Sequence, residues 1–166
     1  HSDTEVILHA YEEWGDACLG RFNGMWAFAL WDGKRQRLFC ARDRLGIKPF
    51  YYTQAGGSFL FASEIKALLA HPDAGKSPDD LTLGTYLAWG VLDHSGRTMF
   101  EGISQLEPAH AMVVTAAGPE KPFRYWDVKV SPAIRSEVPD SEAAARLLAI
   151  LRDATRIHLR SDVAVG

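Results

Sequence analysis

Residues 25–31, Met25-Trp26-Ala27-Phe28-Ala29-Leu30-Trp31, are apolar at every position. A strand with one wet face alternates apolar and polar residues, whereas a strand apolar at both parities has both faces covered. Asp32-Gly33 supplies a turn with Lys34, Arg35 and Gln36 as its polar tip, and Leu38-Phe39-Cys40-Ala41 returns as a second strand. The stretch therefore predicts an antiparallel hairpin packed on both sides. That excludes a plain helical bundle and points to an α+β domain.

Downstream, Asp43-Arg44-Leu45-Gly46 is another turn, and Phe50-Tyr51-Tyr52-Thr53 and Ser58-Phe59-Leu60-Phe61-Ala62 flank Ala55-Gly56-Gly57 as a second hairpin. Glu64 to Ala70 turns helical, with Ile65, Leu68 and Leu69 on one face. Ser77-Pro78-Asp79-Asp80 starts a helix that runs to Trp89 and meets Gly90, with Ser77 read as the cap. Ala111–Thr115 is a strand ended by Gly118-Pro119, and residues 123–127 form one more. Upstream, Ile7, Ala10, Tyr11 and Trp14 make the stripe of a helix that Gly15 can stop. Ser2 and Glu5 read as its capping box.

Ser131 to Pro139 carries two prolines and mixed charge and reads as a linker. Ser141 to Arg160 is a long helix striped by Ala144, Leu147, Leu148, Leu151, Ala154 and His158, and residues 162–166 begin a strand. A helix and one strand cannot bury an apolar face alone, so residues 141–166 are expected to open a second domain. With no strand before the first helix, the chain is expected to be truncated at both ends.

The 166 residues suffice for about one domain. A hydrophobic fraction of 47% excludes a mainly disordered chain. The net charge of −3, with no basic stripe, argues against nucleic acid as a partner. No run is long and apolar enough for a bilayer, and the first residues resemble no signal peptide. Cys18 and Cys40 make neither a C-x-x-C pair nor a disulfide framework, which fits a reducing cytoplasm. The scattered histidines offer no zinc motif.

Three segments carry a resemblance. Gly24-Met25-Trp26-Ala27-Phe28-Ala29-Leu30-Trp31-Asp32, Ala41-Arg42-Asp43-Arg44-Leu45-Gly46-Ile47-Lys48-Pro49 and Phe61-Ala62-Ser63-Glu64-Ile65-Lys66-Ala67-Leu68, in this order, resemble glutamine-hydrolysing asparagine synthetases. Ser2-Asp3-Thr4-Glu5 is similar to that family's S-D-x-E helix start. Ser161-Asp162-Val163-Ala164-Val165-Gly166 is similar to its S-D-V-P-V-G strand, with Ala164 in place of the proline.

The resemblance implies a partial αββα sandwich of the Ntn-hydrolase type with antiparallel sheets. Residues 1–130 would be the C-terminal part of a class II glutamine amidotransferase domain, 131–140 a linker, and 141–166 the first helix and strand of an α/β ATP-pyrophosphatase domain. It implies two steps. An N-terminal cysteine, with its own α-amino group as base and an oxyanion hole, would release ammonia from glutamine. ATP and Mg²⁺ would activate aspartate as an acyl-adenylate that the ammonia attacks. The nucleophile, the arginine for the glutamine carboxylate, the N-G-E oxyanion segment and the S-G-G-x-D-S ATP loop have no counterpart among these residues. The chain is therefore expected to hold no catalytic residue, no metal ligand and no cofactor-binding residue, and to be inactive alone. Glutamine, aspartate and ATP are the partners implied for the parent protein, and a homodimer is compatible with the resemblance.

Asp3 is the one glutamine-site residue retained: by resemblance its carboxylate pairs with the substrate's α-ammonium, as an amino-acid substrate requires. The structural alternative is a helix cap. Arg42, Arg44 and Lys48 could bind phosphate, but an ion-paired turn with Asp43 capping amides and Gly46 at positive φ is favoured. Ser63-Glu64 reads as a helix cap, and Trp26, Trp31, Tyr51 and Tyr52 as core aromatics. Cys18 and Cys40 read as buried, inert thiols. Two other functions remain open: an amidotransferase with a different carboxylate acceptor, and a non-catalytic glutamine-binding or scaffold module.

Overall fold

The computed structural model describes residues 2–92, 95–129 and 139–159. They fall into two compact units, His1–Asp127 and Val128–Gly166.

The first unit opens with α1, Asp3–Trp14, followed by a 3₁₀ turn at Gly15–Arg21. Gly15 ends α1 at φ 56°, donating its N–H to the Tyr11 carbonyl. The Ser2 hydroxyl makes no capping bond, and the Ser2 carbonyl accepts from the N–H groups of Glu5 and Val6. Strands β1 (Ala27–Asp32) and β2 (Arg37–Arg42) form the expected hairpin. Its tip is set by Asp32, whose carboxylate accepts from the backbone of Lys34 (3.0 Å) and Arg35 (2.9 Å).

Strands β3 (Tyr51–Ala55) and β4 (Ser58–Ala62) form the second hairpin. Gly56 and Gly57 both have positive φ at its tip, the requirement of a two-residue turn that matches strand twist. Then come α2 (Ile65–Leu68), α3 (Asp80–Trp89), β5 (Ser104–Gln105), β6 (His110–Thr115), β7 (Gly118–Pro119) and β8 (Phe123–Arg124). The strand expected over 123–127 is thus only two residues long. All pairings are antiparallel: β1-β2-β6-β7 with β8 on β6 in one sheet, β4-β3-β5 in the other.

The two-parity pattern becomes two cores on opposite faces of the first sheet. Phe39, Ala41, Ala111 and Val113 pack with Tyr11, Cys18 and Leu19 from the helical layer. Cys40, Met112 and Val114 pack with Phe50 and Leu106, with Tyr52 and Phe59 of the second sheet at the margin. The layers therefore run helix, sheet, sheet. Trp31 departs from the expectation of core burial: it lies at the end of edge strand β1 and is 58% exposed.

The strongest join between the sheets lies where β2 ends. Arg42 is buried, and its guanidinium donates to the carbonyls of Lys48, Leu106 and Gly46, each at 2.7 Å, and to Gln105 Oε1 at 3.2 Å. Asp43, equally enclosed, accepts backbone N–H bonds from Trp26, Leu45, Ile47 and Lys48 at 3.0–3.2 Å. The turn is therefore not ion-paired as expected; Arg42 and Asp43 each address backbone. Gly46, at φ 66°, is required twice over, because a Cβ there would lie 2.7 Å from Pro108 Cγ.

Helix α3 is capped by Asp79, not Ser77: its carboxylate accepts from Thr82 N at 2.9 Å and pairs with Arg97. The Thr82 N–H and then Arg97 hold that carboxyl below the ordinary carboxylate range. Glu64 precedes α2 without a side-chain capping bond and pairs with Lys66 at 2.6 Å.

In the second unit, α4 spans Asp140–His158 with none of its residues buried. Residues 130–138, most of the expected linker, and the expected strand at 162–166 lie outside the described residues.

All five tryptophans precede residue 128, so their fluorescence reports the first unit. Asp43→Ala leaves four N–H groups without their acceptor, at ~1 kcal/mol or more each. The expected loss is therefore about 4 kcal/mol or more in a urea titration followed by that fluorescence. A loss below ~1 kcal/mol would contradict the role given to Asp43.

Candidate functional site

Asp3 occupies the first position of α1 and is exposed. Among the described residues its carboxylate accepts no hydrogen bond and enters no ion pair. The capping alternative therefore has no contact to support it, although Ser2 does not take that role either. The carboxylate sits where backbone N–H groups at a helix start leave partial positive charge.

The other end of α1 is fixed by a polar cluster that the sequence does not reveal, because its members are spread over 26 positions. Tyr11 donates its hydroxyl to Asp32 (2.9 Å) and accepts from Arg37 (2.8 Å), and Arg37 grips Asp16 through both terminal nitrogens. Burial pushes the Tyr11 hydroxyl above its ordinary pKa, so it keeps the proton it donates. The Arg35 N–H, followed by the Tyr11 hydroxyl and other donors, holds Asp32 below the usual carboxylate range. A groove of about 780 Å³ runs beside this cluster, lined by Leu8, Trp14, Leu30, Trp31, Lys34 and Arg35 among others. The Asp32 carboxylate on its wall is already engaged by the hairpin turn and Tyr11, and Asp3 does not line the groove. We therefore assign it no catalytic role.

The phosphate reading of Arg42, Arg44 and Lys48 fails on geometry. Arg42 is consumed by carbonyls, and Arg44 donates to the Gly20 carbonyl (3.1 Å) with its guanidinium 5.5 Å from the Trp126 ring centre. Lys48 alone is exposed. This cluster does not fit a triphosphate. Tyr125 closes it from above, donating to the Arg42 carbonyl at 2.8 Å; burial, with the nearby Asp43 charge, raises its pKa.

Cys18 and Cys40 are both fully buried. Burial, aided by Asp16, pushes the Cys18 thiol up to about 11, and burial alone pushes Cys40 up to about 12. Neither supplies a thiolate near neutral pH. No group of three or more metal-ligating side chains is present among the described residues. None of their helices is long and apolar enough to cross a membrane.

The glutamine amidotransferase domain model matches residues 1–126. The chain belongs to that family. It is 44% identical over 164 residues to glutamine-hydrolyzing asparagine synthetase 3 of Bacillus subtilis, covering 99% of this chain and 26% of the relative. It is 37% identical over 170 residues to putative glutamine-hydrolyzing asparagine synthetase 2 of Methanocaldococcus jannaschii, covering 99% and 32%. Amidase chry2 of Gibberella zeae is 34% identical over 174 residues, covering 100% and 24%. The chain thus spans between a quarter and a third of the length of the two asparagine synthetases. For this amidotransferase domain, the three motif segments quoted from the sequence lie inside the matched region, and so does Asp3.

Thiol alkylation of the native chain tests the inertness of the cysteines. Both are expected to react far more slowly at pH 8 than after urea denaturation. Reaction of either thiol at the denatured rate would contradict the burial.

Proposed function

We propose that the chain is the C-terminal part of the glutaminase domain of an ATP-dependent, glutamine-hydrolysing asparagine synthetase, joined through residues 131–140 to the start of its synthetase domain at 141–166. In this reading the fold is of the class II, Ntn-hydrolase type. The longer protein hydrolyses glutamine to glutamate and ammonia and transfers the ammonia to the side-chain carboxylate of aspartate. The observation that carries it is the match of residues 1–126 to a glutamine amidotransferase domain, with 44% identity to a protein named for both halves of that chemistry.

Asp3 is the residue of this chain assigned to glutamine. Its exposed carboxylate, free of partners among the described residues, is available to pair with the α-ammonium of an amino acid. We assign activation of the acceptor by ATP and Mg²⁺ to polypeptide other than the residues described; the engagement of the Arg42 guanidinium by three backbone carbonyls is consistent with that assignment. The chain alone is expected to show neither glutaminase nor synthetase activity. Neither thiol is placed as a nucleophile with an adjacent base. We assign the longer protein to the cytoplasm.

A second reading changes the acceptor. Amidases of two fungi are 34% and 35% identical to the chain, nearly as similar as the second synthetase. The same glutaminase half would then serve another carboxylate.

Asp3→Asn in the longer protein is expected to raise the glutamine KM tenfold or more while ammonia-dependent synthesis changes less than twofold, since free ammonia bypasses the glutamine pocket. Parallel loss of both activities would show that Asp3 is structural.

A further inference from the structure

Helix α3 is anchored at one end and bare along the rest. Asp79 and Arg97 hold its start, and Thr82 is its one buried residue. From Leu81 to Leu92 the sequence contains no charged residue. Yet Leu81 is 65% exposed, Leu87 75% and Trp89 79%, with Tyr86, Val91 and Leu92 also open. A helix of ten residues is marginal in water on its own, and one apolar on every side belongs inside a larger body.

Gly84 gives a second, independent sign. Mid-helix glycine costs about 1 kcal/mol relative to alanine, which a close backbone approach can justify. A Cβ on Gly84 would meet nothing within 4 Å. At about 100° per residue, Leu81, Gly84, Leu87 and Ala88 share one side, roughly opposite Thr82. That side is a shallow apolar seat with its smallest residues in the middle, outward from the unit.

We propose that α3 is the seat on which the ammonia-consuming part of the longer amidotransferase packs, with Leu81, Gly84, Leu87 and Ala88 against it. This rests on the function proposed above. Two features select that occupant. The aligned stretch fills only 26% and 32% of the two synthetases, so most of such a protein is available to cover the helix. The seat also lacks charge altogether, the composition of a permanent interface cut from a core rather than of a transient one. A second copy packed helix to helix would cover one side of a rod about 15 Å long, far short of the ~1,600 Å² of a standard interface. It would leave Trp89 and Tyr86 bare.

The test uses the longer protein and reads coverage, not catalysis. Leu87→Cys introduces a thiol whose labelling is read at that position by peptide mass, so other thiols of the longer protein, its proposed nucleophile included, do not enter the rate; Lys121→Cys, read in the same way, gives an exposed reference. Maleimide labelling at position 87 is expected to be at least tenfold slower than at 121, at every protein concentration, and Gly84→Leu beside it is expected to restore labelling at least tenfold. Equal rates at the two positions, protection lost on dilution as a second copy would give, or no effect of Gly84→Leu would each overturn the proposal. Should the cysteine variant fail to fold, benzoylphenylalanine in place of Trp89 gives the same answer by cross-linking. A cross-link within one chain to a peptide outside residues 1–166 supports the seat; one between two chains, or none, overturns it. Glutamate release with a fully reactive thiol sinks the seat alone, whereas a protected thiol without glutamate release sinks the amidotransferase reading and the identity of the occupant.

Discussion

Arg42 and Asp43 leave β2 with their charged groups turned inward, and the backbone around them is arranged to receive those charges. Arg42 collects the carbonyls of Gly46, Lys48 and Leu106; Asp43 collects the amides of Trp26, Leu45, Ile47 and Lys48. Charged groups this enclosed are tolerated only when every pole is met, and each here meets backbone that would otherwise be buried without partners. The Leu106 carbonyl belongs to the segment after β5, and the Leu106 N–H returns to the Phe50 carbonyl. One short turn thereby sets the spacing of the two sheets and the entry of β3. The first core and the place of α1, whose first residue is Asp3, depend on the sheet so fixed.

Much of this is legible from the residues. The apolar run at 25–31 demands cover on both faces, and the two cores deliver it: Phe28 and Leu30 pack with the helical layer, Ala27 and Ala29 with the core facing the second sheet. Asp43 as an amide acceptor and Gly46 at positive φ follow from turn chemistry. What stays hidden is long-range: Arg42 finds Leu106 across 64 positions, and Arg37 finds Tyr11 across 26. Local patterning carries no information about such partners. The missed cap at Asp79 has a smaller cause. Pro78 bridges to Phe100, which delays the helix start past Ser77.

The candidate site was legible only through resemblance. Nothing in the periodicity separates an acid at the first helical position that caps from one that binds, and the structure removes the local duties without supplying a ligand. The family match sharpens the meaning of the charges. The basic cluster is architecture, the two thiols are packing, and the Asp3 carboxylate faces solvent.

The amidotransferase account is tested most directly by following the nitrogen. The longer protein is given glutamine labelled with ¹⁵N at the side-chain amide, together with aspartate, ATP and Mg²⁺. The account predicts ¹⁵N in the side-chain amide of newly formed asparagine, with one glutamate released for each. Label that stays in glutamine, with no glutamate formed from it in the presence of aspartate or any other carboxylate acceptor, would contradict it.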